Sequence, residues 1–270
     1  MPITIHRINI TPIKGTALQQ ADTVWLDDSG VFANRRFYLI DADGIMINGK
    51  RAGPLVTLQT HYDAPTQGLR ILFPDGTCLT DTVRCTHESV VTDFYGRPVC
   101  GQLVEGPWNQ ALSDFAGRPV RLIRAADDTI GTDVHPVTLV SCATLEKLRM
   151  AANGAAERWA DRFRMMFELD GPDAFEEDGW IGHRLAAGEA IMRVVGLVPR
   201  CLVTSQDPAT GVRDTGTLAA LTGLRSNAYP IPAQAGDPTA PRSRLMLGLY
   251  AIVEQPGRVR VGEPLTASPA

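Results

Sequence analysis

The sequence lacks the long apolar runs of a membrane-spanning chain and the basic, apolar N-terminal block of a secreted one. From these absences we expect a cytoplasmic protein with no membrane partner. Aspartate and glutamate (30) outnumber lysine and arginine (26), so the formal net charge is -4. A chain with this balance is not expected to bind nucleic acid, although its arginines can still gather around a smaller anion.

Cysteine is sparse and unpatterned. The five cysteines stand at positions 78, 85, 100, 142 and 201, with no C-x-x-C pair, no zinc-type Cys/His spacing and no C-x4-C-x2-C iron–sulfur spacing. We therefore expect reduced thiols, and the five histidines, which also lack metal-ligand spacing, receive no predicted function. A glycine-rich nucleotide fingerprint is missing as well, which argues against direct use of NAD(P)H.

What the sequence does contain is a two-part, mainly β pattern. The length of 270 residues and the hydrophobic content of 44% suit about two domains. The polar stretch 125–133 interrupts the pattern and marks the predicted boundary, which gives domains 1–125 and 126–270.

Short apolar runs between turn residues predict strands at 3–10, 23–26, 36–40, 55–61, 69–73, 163–169, 190–198 and 247–254. The Asp-Gly pairs at 43–44 and 75–76 are favoured two-residue turns, so each is predicted to close a hairpin. Helices are predicted at 107–117, after Ser141 as N-cap, and around 217–221. The Pro-, Ala- and Gly-rich stretch 229–242 is predicted to be a loop.

The most informative stretch presents one cysteine at the end of an apolar run. Residues 194–198 are strand-like, Arg200 and Cys201 follow, and the turn formers of 207–211 carry the chain away. A thiolate held there is rigid yet accessible, and the neighbouring arginine would favour it electrostatically. The alternative is that Cys201 is a small buried hydrophobic residue, which is the commoner role of a single cysteine.

Seven segments in this order span nearly the whole chain: Thr11–Gly15, Asn34–Tyr38, Leu139–Ser141, Arg162–Arg164, Glu177–Trp180, Arg200–Gly211, and Leu247–Tyr250 with Pro256-Gly257. Together they resemble the MOSC-domain proteins, specifically those close to the mitochondrial amidoxime-reducing component and its bacterial relatives. The resemblance implies an α+β, mainly β fold, in which a β-rich MOSC N-terminal domain packs on a C-terminal MOSC β-barrel with a few helices. It also implies a cofactor site at the interface of the two domains.

The function that the resemblance implies is that of a molybdenum-pterin oxidoreductase with Cys201 as metal ligand. A soft thiolate suits a thiophilic metal already bound by the dithiolene sulfurs of the pterin, and the cofactor carries the redox step. The expected reaction reduces N-hydroxylated substrates (amidoximes, hydroxylamines, N-hydroxylated bases), with release of water. Electrons are expected from a separate ferredoxin- or flavin-reductase-type protein. The alternative is a non-catalytic molybdenum-pterin carrier or sulfur-transfer module.

For the terminal phosphate of the pterin, the resemblance implies three cations, Lys14, Arg36 and Arg164. Taken singly, Lys14 and Arg36 are more easily explained as surface charges. Arg164 is different because it stands among apolar neighbours and needs an anion. That anion is either a ligand or an internal carboxylate such as Glu177 or Asp178.

The other implied cofactor contacts are weaker. Ser141 would offer its hydroxyl and the helix N-terminal amides, while Cys142 beside it would act through its backbone. Arg200 belongs to the same set, and Tyr250 matches an aromatic residue near the cofactor, with a core tyrosine as the alternative. Asp207 is the candidate acid–base residue, and an ordinary Asp-Pro turn is its alternative.

Four positions depart from the family pattern: Gly15, Met165, Met166 and Pro199. Relatives often carry polar residues or an Asn-containing pair there, and Pro199 cannot donate a backbone hydrogen bond. These departures favour pterin contacts or a substrate range unlike those of the best-known members. They also leave open an unloaded homologue that binds another anion.

Overall fold

The computed structural model describes residues 2–126, 131–232 and 245–269. Its strands are β1 (Thr4–Ile10), β2 (Gln19–Gln20), β3 (Thr23–Asp27), β4 (Gly30–Val31), β5 (Phe37–Ile40), β6 (Met46–Ile47), β7 (Gln59–Asp63), β8 (Gly68–Leu72), β9 (Cys78–Thr82), β10 (Arg84–Phe94), β11 (Arg97–Glu105), β12 (Arg121–Ala125), β13 (Val137–Ser141), β14 (Phe167–Asp170), β15 (Arg184–Ala187), β16 (Ala190–Pro199), β17 (Met246–Gln255), β18 (Gly257–Arg260) and β19 (Leu265–Ser268). Its α-helices are α1 (Trp108–Ala116), α2 (Cys142–Ala151) and α3 (Thr217–Asn227), and 3-10 helices span Gly53–Thr57, Ala160–Phe163, Glu176–Trp180 and Leu202–Ser205.

The strands form two principal sheets. The larger has eight strands in the order β19-β15-β16-β17-β13-β14-β1-β2, and the second has five in the order β10-β11-β12-β5-β6. The smaller sheets β18-β3-β4 and β7-β8-β9 each have three strands. The predicted mainly β fold with a few helices is confirmed.

The N-terminal strands belong to both parts of the molecule. Strand β1 pairs with β14, and β3 pairs with β18, so the first strands of the chain are hydrogen-bonded to the second half. The core of the large sheet accordingly mixes Ile5 and Ile8 with Leu249 and Ala251 from β17. The domain boundary at residue 125 stays a prediction. The pairs β1–β14 and β3–β18 join the two halves of the chain by backbone hydrogen bonds.

The hairpin turns and helix caps predicted from the local sequence are present in the structure. Strand β5 pairs with β6 across the first Asp-Gly turn, and β8 pairs with β9 across the second. Helix α1 ends at Gly117, which has the left-handed φ of 64° of a glycine C-cap. The Ser141 side chain accepts a hydrogen bond from the Thr144 amide as the N-cap of α2.

Two predicted strands were partly wrong. Residues 53–57 form a 3-10 helix with Pro54 in its first turn, so only β7 remains of the strand predicted at 55–61. The strand predicted at 163–169 begins only at Phe167, because a 3-10 helix precedes it and Arg164 has a φ of 54°. The long hairpin β10–β11 was missed, since half of its residues are exposed and many of these are polar. Most of the loop predicted at 229–242 lies outside the described residues.

The connection between β6 and β7 packs directly on the loop after β16. The Gln206 side-chain amide donates to the Gly49 carbonyl at 2.7 Å. A Cβ on Gly211, whose φ is 74°, would come within 2.2 Å of the Gly53 carbonyl oxygen. Only glycine permits so close a backbone approach, and it fixes the loop that follows Cys201 against the first half of the chain. None of the described helices is long and apolar enough to cross a membrane.

Candidate functional site

A cleft opens where the loop after β1, the segment before β13 and the end of β16 meet. Its ionisable wall residues, among those the structure describes, are Lys14, Arg35, Lys50, Tyr95, Asp133, His135, Arg162, Arg164, Arg200, Cys201 and Tyr250. The cleft thus brings together five of the predicted site residues: Lys14, Arg164, Arg200, Cys201 and Tyr250. Four others do not line it: Arg36, Ser141, Cys142 and Asp207.

Cys201 stands between the end of β16 and a 3-10 helix. It is the N-cap residue of that helix, with extended φ and ψ of -131° and 178°, and its carbonyl accepts from both the amide and the hydroxyl of Thr204. The thiol is partly exposed and is not in a disulfide. A fixed backbone with a free, accessible sulfur is the arrangement that a thiolate ligand needs.

Arg200 donates its hydrogen bonds to backbone within the cleft wall. Its guanidinium donates to the Leu247 carbonyl at 2.9 and 2.7 Å and to the Phe163 carbonyl at 3.0 Å. It also contacts the Met165 sulfur at 2.6 Å. Burial lowers the pKa of Arg200 to about 10. Its main role in this geometry is therefore to join β16, β17 and the segment before β14.

Lys14, Arg35 and Asp133 form an ion cluster in the cleft wall. The Lys14 ammonium lies 2.6 Å from one Asp133 oxygen, and the Arg35 guanidinium lies 3.4 Å from the other. Burial lowers the pKa of Lys14 to about 8, against the opposing effect of Asp133. Burial would raise the pKa of Asp133, but Lys14 and Arg35 outweigh it and hold that pKa well below its usual range.

Arg164 is a cleft cation with no carboxylate partner among the described residues. Among the described residues, its guanidinium has one hydrogen-bond acceptor, the Thr16 carbonyl at 2.7 Å. Burial, and next the like charge of Arg35, lowers the pKa of Arg164 to about 10. A guanidinium offers five N–H donors, so most remain available to a ligand. The two internal carboxylates considered as partners are engaged elsewhere, since Asp178 pairs with Arg225 and Glu177 binds the start of α2.

The cleft is therefore electropositive. Of the described wall residues, six are lysine or arginine and one, Asp133, is a carboxylate. Arg162 is neutralised by a bidentate pair with Asp214 at 2.6 Å from both nitrogens. The remaining cations still outnumber the single carboxylate, and like charges at this density favour an anionic ligand.

Two aromatic groups complete the wall near the sulfur. The rings of His135 and Tyr250 meet edge to face, with centroids 5.2 Å apart. Burial raises the pKa of Tyr250 and lowers that of His135, so both are neutral near pH 7. Neutral rings with polar edges can orient a planar ligand without adding charge.

Arg36 faces the protein interior. Its side chain is fully buried, stacks on the Phe32 ring with 4.5 Å from guanidinium carbon to centroid, and donates to the Ala126 carbonyl at 3.5 Å. Arg35, one residue earlier, has a φ of 53° and takes the place in the cleft predicted for its neighbour. Arg35 stands in a turn and Arg36 directly before β5, so the two neighbouring arginines are divided between the cleft and the interior.

The start of helix α2 is occupied by an internal anion. The Ser141 amide and the Thr144 hydroxyl both donate to the Glu177 carboxylate, at 3.1 and 2.9 Å, and the Ser141 hydroxyl donates to the Pro172 carbonyl. Burial raises the pKa of Glu177 to about 7. The donors predicted to bind the cofactor are thus used within the fold. Cys142, the first residue of α2, lies outside the cleft, and burial, with nearby Asp170, raises its pKa to about 12.

Asp207 has the geometry of a turn former. Its carboxylate accepts from the Ala209 amide at 2.9 Å and from the Thr210 hydroxyl at 3.1 Å, and its carbonyl accepts from the Gly211 amide at 2.7 Å. Its neighbour Gln206 lines the cleft instead. The structure therefore gives Asp207 a place in the loop that holds Cys201, outside the cleft wall.

Six ionisable cleft residues were not among the predicted site residues: Arg35, Lys50, Tyr95, Asp133, His135 and Arg162. Asp133 and His135 come from an unpatterned stretch beside the domain boundary, and no local signal marks them. For Arg35 the sequence offered two adjacent arginines, and only the left-handed backbone at the first one decides between them.

Comparison with known proteins places this fold and cleft in a class. Residues 2–97 match the family model described as the MOSC N-terminal beta barrel domain, and residues 126–266, just over half of the chain, match the MOSC domain. The chain belongs to the MOSC domain family.

Within that family, the chain is similar to proteins named for amidoxime reduction. The human mitochondrial amidoxime reducing component 2 is 34% identical over 285 residues, which cover 97% of this chain and 82% of that protein. The bovine protein of the same name is 27% identical over 286 residues, with the same coverages. The zebrafish molybdenum cofactor sulfurase is 23% identical over 260 residues, which cover 83% of this chain and 30% of that protein. Among solved structures, the YUAD protein from Bacillus subtilis aligns over 99% of this chain and 96% of its own, with a TM-score of 0.43 and 11% identity.

Proposed function

We propose that this protein is a molybdenum-pterin oxidoreductase that reduces N-hydroxylated substrates such as amidoximes, hydroxylamines and N-hydroxylated bases. The observation that carries the proposal is a partly exposed thiol, Cys201, in a cleft whose charged side chains are nearly all cations. The similarity to relatives named for amidoxime reduction and for the molybdenum cofactor supports the same function.

The residues present fit a phosphate-bearing pterin. Arg164 has donors without an internal acceptor among the described residues, and Arg35 and Lys14 share one carboxylate between two positive charges. A phosphate group would supply the anion that this wall lacks, and guanidinium groups bind it bidentately. We assign the phosphate to Lys14, Arg35 and Arg164, with Arg35 in place of Arg36.

Cys201 is the proposed metal ligand. Its position at a helix cap fixes the direction of the sulfur, and the Gly53–Gly211 contact fixes the loop that follows. When bound, the cofactor supplies the two-electron chemistry that converts an N–OH group to N–H with release of water. The chain itself binds the cofactor, positions the substrate and holds protons.

Protons for the water product need a group that reaches the cleft. Asp207 is oriented by its own turn, so we assign proton delivery to cleft water and to His135, which lies against Tyr250. Burial lowers the pKa of His135, so its neutral imidazole would accept a proton from cleft water at one ring nitrogen and donate one from the other. Electrons are proposed to come from a separate ferredoxin- or flavin-reductase-type protein, and the proposed location is the cytoplasm.

The test is elemental analysis of molybdenum and of released pterin, on protein made in a host that synthesises the cofactor. The wild-type chain should contain near-stoichiometric molybdenum and reduce an amidoxime with a chemical electron donor. Cys201→Ser should lose the activity and retain less metal. Cys78→Ser, at an exposed thiol on β9, is the matched control and should behave as wild type. Full amidoxime reduction by Cys201→Ser would overturn the assignment.

A second function, transfer of the cofactor or of its sulfur, is favoured by the similarity to a molybdenum cofactor sulfurase. A carrier would release its pterin to an acceptor. Rapid exchange of bound pterin with a cofactor-free acceptor protein, together with no turnover of any N-hydroxylated compound, would favour this function over reduction. Slow exchange with turnover would favour the reductase.

A further inference from the structure

Three side chains able to bind a metal meet outside the cleft, next to the paired strands β1 and β14 of the large sheet. His6, Cys142 and Asp170 place their possible ligand atoms within 4.8 Å of one another. Within the part of the chain that the structure describes, no other group of three or more His, Cys, Asp or Glu side chains converges in this way. None of the three lines the cleft around Cys201.

The strand register explains why three distant residues share one place. Strand β14 lies between β13 and β1, and Ser141 on β13 is paired with Leu169. The next residues along these parallel strands, Cys142 and Asp170, are therefore neighbours.

A β-bulge brings in the third ligand. The pairing of β1 with β14 shifts between Ile5 and Arg7, so His6 is an extra residue with no partner of its own. Bulges turn a side chain out of the regular alternation. Here the His6 Nδ1 lies 2.8 Å from the Asp170 Oδ2.

The surrounding charge favours a cation. Arg7 contacts Asp161 at 2.7 Å and Glu168 at 2.6 Å, and Arg158 contacts Asp161 at 3.1 Å. Counting Asp170, three carboxylates face two guanidiniums. A divalent cation beside Asp170 would offset this excess, whereas an anion would not.

We propose that His6, Cys142 and Asp170 bind a zinc ion, with a fourth coordination position open to solvent. One nitrogen, one sulfur and one oxygen donor are a ligand set that zinc accepts and that magnesium and calcium, which prefer oxygen alone, do not. His6 and Asp170 are each about half exposed (50% and 54% of the side chain), so water can reach the ion. On binding, the Cys142 thiol gives up its proton to solvent.

The bound ion would link the start of α2 to β14 and β1. Each ligand comes from a different element, so the ion would cross-link the N-terminal strand to the second half of the chain. The site is independent of the cofactor proposal, because it shares no residue with the cleft.

The test is calorimetric titration of zinc into the full-length chain after treatment with a chelator. One zinc ion per chain is expected. His6→Ala and Cys142→Ser should each weaken binding by more than about 100-fold, beyond the effect typical of losing a group that only orients a ligand. Cys201→Ser and Cys78→Ser are thiol controls and should bind zinc as wild type does. Zinc should raise the Tm of the wild-type chain and leave that of His6→Ala unchanged.

Cobalt gives an independent readout of the sulfur ligand. Cobalt titrated into the wild-type chain and into Cys201→Ser should produce a near-ultraviolet thiolate-to-metal charge-transfer band, which Cys142→Ser should lack. Circular dichroism of each variant checks that the fold is intact. The proposal is overturned if the wild-type chain binds no zinc, or if Cys142→Ser binds zinc as tightly as wild type.

Discussion

The cleft and the interior around helices α2 and α3 both contain buried charges, but the two regions compensate them differently. Around the helices, the Arg225 guanidinium pairs with both oxygens of Asp178 and also donates to the Met246 carbonyl at 2.8 Å. In the cleft, Arg164 has one carbonyl acceptor among the described residues, and repulsion from Arg35 is the largest effect of a neighbouring charge on its pKa. We therefore expect the first region to be stable without a ligand and the second to gain stability when it binds an anion.

This difference separates structural charges from binding charges. A buried ion pair that is satisfied within the fold costs stability when one partner is removed, because the other charge stays in the interior. A buried cation with unused donors costs stability in the native state and recovers it when a ligand binds. The same substitution should therefore have opposite consequences in the two regions.

The largest effect is expected from Arg225→Met. The side chain of Arg225 is fully buried, and its removal leaves the Asp178 carboxylate without its guanidinium. We expect a loss of about 3–5 kcal/mol in the free energy of unfolding, measured by urea denaturation. The double variant Arg225→Met/Asp178→Asn should regain more than about 1 kcal/mol of that loss. No recovery in the double variant would mean that packing on Phe175, and not charge, dominates.

Glu177 should make stability depend on pH. Burial raises its folded-state pKa from 4.5 to about 7, so between these values the folded chain holds a proton that the unfolded chain has lost. Stability is then highest below about pH 4.5 and falls as the pH rises through 7, by roughly 2–3 kcal/mol between pH 5 and pH 8.

The matched pair of variants is Glu177→Gln and Glu157→Gln. The first is neutral at every pH and should remove this decline from the urea-denaturation profile. The second, at an exposed glutamate, should keep it. A decline of equal size in Glu177→Gln would assign it to another group.

The sequence predicted the turns and helix caps of the fold better than it predicted the cleft. The N-cap at Ser141, the C-cap at Gly117 and both Asp-Gly hairpins follow from local turn chemistry, and the structure has all of them. Ser141 was nonetheless expected to serve a ligand. Its true acceptor, Glu177, lies 36 residues away, and a local pattern carries no information about such a contact.

In the cleft, several residues could be predicted from the sequence, but the directions in which their neighbours' side chains point could not. Cys201, Lys14 and Arg164 were predicted by resemblance and do meet at one cleft. The choice between Arg35 and Arg36 depends on one left-handed φ angle, and the inclusion of Asp133 depends on how the two halves pack. These are properties of the tertiary structure that neither periodicity nor spacing encodes.

Arg164→Gly should separate binding from stability in the cleft. The residue is a partly buried cation with a left-handed φ of 54°, and glycine removes both the charge and the strain. We expect the free energy of unfolding to stay within about 1 kcal/mol of wild type or to rise. Sulfate, which mimics the phosphate, should bind the cofactor-free chain about 10–100-fold more weakly by calorimetry, as expected for a lost charge-assisted contact. A large destabilisation with unchanged sulfate affinity would place Arg164 among the structural charges.

Lys14 should make anion binding in the cleft depend on pH. Because burial lowers its pKa to about 8, the free cleft loses a positive charge as the pH rises through that value, well before an exposed lysine would. Sulfate keeps the same charge over this range, so its affinity for the cofactor-free chain should be constant below about pH 7 and fall by up to about tenfold per pH unit above 8. Calorimetric titrations between pH 6.5 and 9.5 measure this profile.

Two lysine variants test the assignment. Lys14→Met should bind sulfate more weakly and with an affinity that does not change with pH, because the titrating charge is gone. Lys50→Met removes an exposed wall lysine and should keep the break in the affinity profile near pH 8. A break that persists in Lys14→Met would show that another cleft group controls the anion.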